Sequence, residues 1–224
     1  MEFGSLLIPL GLVPSMFILY FMVGRYEGKF REKNILLAFV IGFILGLFIY
    51  LIEMGNIPVG KKIYLFDIFI IAAAFSFLEQ TAKLMVLNAR FLKDDALPLY
   101  GVAIGAGYAS TFAPIFIRSI EVSLYGIAIA IIPVLVLLLT CYSAILIAIG
   151  IKKDKKAIQF FYAYIFSFIV WILLLLLFNF KYQPLQFSLL FIAIFALTAF
   201  AVYHAYYKLL PFSMLRRQEL KKIL

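Results

Sequence analysis

A chain of 224 residues that is 66% hydrophobic, 18% aromatic and only 14% charged has more apolar surface than a water-soluble core can hide, which excludes a soluble globular protein. Its net charge of +9, from 20 Lys and Arg against 11 Asp and Glu, is accounted for by a basic face beside anionic lipid and calls for no nucleic acid. The single cysteine, Cys141, excludes an intrachain disulfide.

Crossing about 30 Å of hydrocarbon as a helix takes about 20 apolar residues. Seven such stretches occur in chain order: Leu6 to Val23, Ile35 to Met54, Ile63 to Asn88, Leu97 to Ile117, Gly126 to Gly150, Ala157 to Phe178 and Leu185 to Tyr207. The first has no Lys or Arg before it, carries Glu2 and lacks a small-residue cleavage site, so it reads as a retained span and not a secretory signal. Continuous apolar runs without alternation argue against a transmembrane barrel. The connections are too short for a soluble domain. The expectation is an all-α, polytopic membrane bundle, one domain over residues 1–224, multi-pass in the cell membrane.

The basic residues orient it. Arg25, Lys29, Arg31, Lys33, Arg90, Lys93, Lys152, Lys153, Lys155, Lys156, Lys208, Arg216, Arg217, Lys221 and Lys222 fall on one side, and only Lys61, Lys62, Arg118 and Lys181 on the other. By the positive-inside rule the N-terminus is outside and the C-terminus inside.

The third stretch carries the candidate chemistry. Glu79 lies roughly 24 Å along it at 1.5 Å per residue, and Lys83 is one turn further. At i and i+4 with the Glu first, the two can pair, and Lys83 can snorkel to the headgroups. An ionisable residue at this depth is costly and usually kept for function. Two readings stay open: a structural ion pair, or a Glu poised as general base or metal ligand. Asp67, about 120° around the helix from Glu79, belongs at the interface with Lys61 or Lys62.

In the fourth stretch Gly101, Gly105 and Ala109 recur every four residues, and Ala106 and Ser110 line the adjacent stripe. Such a groove lets another backbone approach closely, within the bundle or on a partner helix. The fifth brings Cys141 and Tyr142 to the level of Glu79. His204, near the end of the seventh among Tyr203, Tyr206 and Tyr207, reads as an interfacial aromatic-belt residue or as a tentative catalytic one. No cluster of Cys or His has metal-ligand spacing, and the glycines do not follow a strand as a nucleotide loop would. No cofactor is expected.

Phe77-Leu78-Glu79-Gln80-Thr81-Ala82-Lys83, the Asp94-Asp95 loop, Tyr100-Gly101 and Gly107-Tyr108-Ala109 together resemble the core of the PrsW family of intramembrane proteases. That family is grouped with the type II CAAX prenyl endopeptidases and, more distantly, with the seven-helix scaffold subunit of gamma-secretase. The resemblance covers roughly the first 115 residues and implies a polar cleft among the central helices. The chain departs from the pattern where the second Glu of the motif is Gln80, where Phe112 stands for a later Glu, where Tyr142 stands for a His, and where Trp171 to Leu175 replaces a His-x-x-x-Asp segment.

Two functions follow. One is a catalytically defective member acting as a membrane scaffold or transmembrane-helix-binding partner. The other is an active intramembrane endopeptidase with a rearranged site on Glu79, Lys83 and His204, and only this one calls for a divalent metal. A small-solute carrier or channel ranks third, for want of polar positions along a route. The expected partners are the lipid bilayer and another membrane protein or transmembrane helix.

Overall fold

A computed structural model describes residues 4–56, 63–111, 124–180 and 183–214. Among these there are helices and turns and no strand. The principal helices are α1 (Gly4–Val23), α2 (Glu32–Asn56), α3 (Leu65–Leu87), α4 (Leu97–Ala109), α5 (Leu124–Lys152), α6 (Lys156–Asn179) and α7 (Pro184–Tyr203). The last continues through a π-helical turn (His204–Leu209) into the short α8 (Leu210–Ser213). Pro211 has no N–H for the carbonyl of Tyr207, and the hydrogen-bond ladder widens into the π turn just before it.

Five helices are long and apolar enough to cross a membrane, and two shorter apolar ones, Gly11–Tyr26 and Leu97–Ala109, accompany them. The bundle is inside-out relative to a soluble protein. Phe17, Tyr20, Phe48, Phe66 and Leu185 stand exposed, while Glu53, Glu79, Gln80, Lys83, Ser143 and Ser167 are buried. An apolar exterior around a largely apolar core that encloses a cluster of polar groups is stable in lipid, where the outer side chains meet hydrocarbon and the inner polar groups meet one another.

Helix α5 forms the axis: 89% of an 18-residue stretch within Ile131–Lys152 is buried, against 22% of one within Pro184–Ser213. It packs on α4, α6, α7 and α3, and α4 in turn packs on α2 and α1. Every residue of α4 is buried. The expected span from Leu97 to Ile117 is not found at that length. Helix α4 closes at Ala109, about 20 Å from its start at 1.5 Å per residue, and the rest of the stretch lies outside the described residues. At its end the hydroxyls of Ser110 and Thr111 donate to the carbonyls of Gly107 (2.6 Å) and Tyr108 (2.7 Å), satisfying acceptors that a continuing helix would have used.

Glycines set how closely α4 sits. A Cβ on Gly105 would lie 2.6 Å from Cα of Cys141, and one on Gly101 would lie 2.9 Å from the carbonyl oxygen of Ala144. On the other side Gly42 and Gly46 of α2 face the backbone of Ile104 and Tyr108, and Gly107 faces that of Phe39. Because Gly42 meets Ile104 and Gly46 meets Tyr108, α2 and α4 run parallel. The groove of Gly101, Gly105, Ala106, Ala109 and Ser110 is therefore filled by the chain's own α5 and α2. Of the two readings of this stripe, packing within the bundle is the one this close backbone contact fits.

Helices α3 and α6 are clasped at both ends. Asn179 accepts from the Ile63 amide (3.2 Å) and donates to the Ile63 carbonyl (3.1 Å). At the opposite end Lys156 donates to Oδ1 of Asn88 at 3.0 Å. These clasps hold α3 in register against α6, and that register builds the polar core described next.

Candidate functional site

Ser76, Glu79, Gln80 and Lys83 recur at spacings of three and four, and so line one face of α3; all four are buried. Lys83 Nζ lies 3.3 Å from Oε2 of Glu79, the i,i+4 pair expected from the sequence. It does not snorkel. Its side chain is fully buried, donates to Oγ of Ser143 at 3.1 Å and lies 4.9 Å from the centre of the Tyr108 ring. A hydroxyl lone pair and an aromatic face supply in the interior what headgroups would supply at the surface.

Glu79 is surrounded by donors. Trp171 Nε1 donates to Oε1 at 2.9 Å, and Oε2 receives Lys83 at 3.3 Å, Gln80 at 3.4 Å and Ser167 at 3.4 Å. The Trp171 ring is fixed edge-on against Phe75, with centroids 5.0 Å apart. Four donors thus fill the acceptor sites of this buried carboxylate.

A cavity of about 20 Å³ opens beside the carboxylate, with Glu79, Thr140, Ser143, Ser167 and Trp171 among its lining. That volume is room for about one water, and the polar side chains could satisfy it. Among the described residues no three His, Cys, Asp or Glu side chains gather where they could hold a metal ion.

The other expected residues are placed as follows. Cys141 is buried and directs its thiol to the Val102 carbonyl at 3.5 Å. Tyr142 turns away from Glu79; its hydroxyl meets Nδ1 of His204 at 2.9 Å, and its ring packs on Phe166 at 4.7 Å. His204 thus opens the π turn as a partner of Tyr142, and it is not among the hydrogen-bond partners of Glu79. A catalytic role for it requires the seventh helix to pack on the third; α7 packs on α5 and α6 and brings His204 to Tyr142. Asp67 is exposed; Lys61, Lys62, Phe112 and Arg118 lie outside the described residues. Asp94 accepts from Tyr100 at 2.7 Å and from the Ala96 amide at 2.8 Å, which ties the acidic loop to the start of α4.

Sequence reasoning missed Trp171, Ser143, Ser167 and Tyr108 as members of the core. The Trp171 segment reads as the loss of a motif, yet an indole N–H deep in an apolar run needs an acceptor, and that need was the available signal. Glu53 was missed as well. It is 1% exposed near the end of α2, and the charges of Glu79 and Lys83 both bear on it.

Compared with known proteins, the chain matches no family model, and no curated protein or solved structure is significantly similar to it.

Proposed function

We propose that this protein is a membrane scaffold that binds other transmembrane helices, a member of the PrsW and CAAX-protease superfamily whose polar core has become structural. The observation that supports this reading is the occupancy of the Glu79 carboxylate. A general base needs a lone pair aimed at the water it activates, and here Trp171, Lys83, Gln80 and Ser167 already donate to the two oxygens. With the small-residue stripe of α4 consumed internally, a partner helix would be met on the exposed apolar faces of the outer helices. The charge asymmetry supports seven spans in the cell membrane with the N-terminus outside and α4 as a short central member.

A second reading, an active intramembrane endopeptidase, is favoured by one observation: the water-sized cavity that Glu79 shares with Thr140, Ser143 and Ser167. A water held there would lie beside the carboxylate, with Lys83 adjacent to offset charge as a proton is taken up.

One experiment separates them. The protein is purified from native membranes under crosslinking, as wild type and as Glu79→Gln, and its companions are identified by mass spectrometry. An intact membrane protein at fixed stoichiometry in both forms supports the scaffold. Fragments with the wild type that give way to a trapped, uncleaved protein with Glu79→Gln would establish the protease and overturn the scaffold.

A further inference from the structure

Glu53 is the second acid of the buried core, and its surroundings are the opposite of those of Glu79. The residue is 1% exposed, and among the described residues neither carboxyl oxygen has a hydrogen-bond partner. Among the described residues the ion pairs are Lys83 with Glu79 and Lys152 with Asp95, and neither includes it. It nevertheless belongs to the same interior. Glu79 and Lys83 of α3 act on it electrostatically, and Glu53 and Glu79 both act on Tyr108 of α4.

An ionised carboxylate without donors in an apolar interior is prohibitively costly, and such a group takes up a proton instead. Lys83 offers little relief, because Glu79 already neutralises it at 3.3 Å. A charged Glu53 would give the core two anions against one cation. A neutral one leaves the Glu79–Lys83 pair as the balanced charges of the core.

We propose that Glu53 is an intramembrane proton-binding site, holding a proton within the folded bundle. The ligand is the proton itself, and the titratable groups linked to it electrostatically are Glu79 and Lys83 of α3 and Tyr108 of α4. The assignment rests on the surroundings of Glu53 and is independent of the scaffold reading.

Infrared spectroscopy of the full chain in lipid nanodiscs tests it, by the carbonyl stretch of a protonated carboxyl, which the isotope shift of labelled glutamate separates from the lipid ester carbonyls. At neutral pH, where an exposed Glu with its usual value of about 4.3 is ionised, the wild type is expected to show this band, and carbon-13 labelling of glutamate is expected to shift it. The band is expected to persist in Glu79→Gln and vanish in Glu53→Gln. Should Glu53→Gln not fold, Glu53→Asp replaces it: with labelled glutamate the shifted band disappears and an unlabelled one takes its place. Absence of the band from the wild type overturns the proposal. So does a band lost in Glu79→Gln and kept in the Glu53 variant, since the proton would then sit on Glu79.

Discussion

The indole of Trp171 donates to Oε1 of Glu79 at 2.9 Å, joining α6 to α3 through a charge-assisted hydrogen bond inside the bundle. Trp171→Phe keeps a ring against Phe75 and removes the donor. We expect it to lower stability by about 1.5 to 3 kcal/mol, the range for a hydrogen bond to a charged group. Unfolding titrations of the two proteins in mixed micelles would measure the difference.

Lys83→Met leaves the Glu79 carboxylate without its cation and is expected to cost about 3 to 5 kcal/mol, as for other broken buried pairs. Adding Glu79→Gln removes the stranded charge, so the double variant should be more stable than Lys83→Met alone. A double-mutant cycle on unfolding free energies checks the sign.

Exchanging the two charges should not restore the pair. Trp171 can only donate, and it aims its N–H at position 79; a lysine there would set donor against donor. The combined Glu79→Lys and Lys83→Glu variant is expected to be less stable than Glu79→Gln with Lys83→Met. Recovery of wild-type stability in the same titration would show that the pair is indifferent to its surroundings.

Gly105→Ala places a Cβ 2.6 Å from the backbone of Cys141, where no flexible side chain can yield. Overpacking of this kind costs about 1 to 3 kcal/mol. Gly24→Ala, whose nearest neighbours are Tyr20 ring atoms at 3.9 Å, should stay within about 0.5 kcal/mol of wild type. Thermal unfolding midpoints in one detergent would compare the two.

Asn179→Leu removes both hydrogen bonds to Ile63 and strands a backbone amide and carbonyl, at an expected cost of about 1 to 3 kcal/mol. Hydrogen exchange at the start of α3 should rise while the opposite end, held by Lys156 and Asn88, keeps its protection.

The helices were legible because a long apolar run in a chain of this composition admits little else. The end of α4 was not. The apolar run continues past Ala109, and helix termination depends on Ser110 and Thr111 donating to the preceding turn, a local choice that hydropathy does not register. Within the core, the Glu79–Lys83 pair was readable from spacing alone, since both residues share one helix. Trp171, Ser143 and Ser167 reach it from other helices, and which faces meet is fixed by packing. Lys83 was expected at the headgroups by default; it stays inside because Ser143 and Tyr108 are there to receive it. Glu53 met the same criterion that singled out Glu79, an acid in an apolar run, but its place near the end of its stretch hid its burial.

The enclosure of α4 bears on how the protein is made. A helix whose every residue is covered by neighbours has no lipid contact to hold it in place, and a large part of its covering comes from α5, which leaves the ribosome after it. Until α5 is synthesised, Gly101 and Gly105 have no backbone to rest against, so the first four helices form an open assembly that waits on the fifth. Chains stopped before Thr140 should be the ones that quality control recognises and removes.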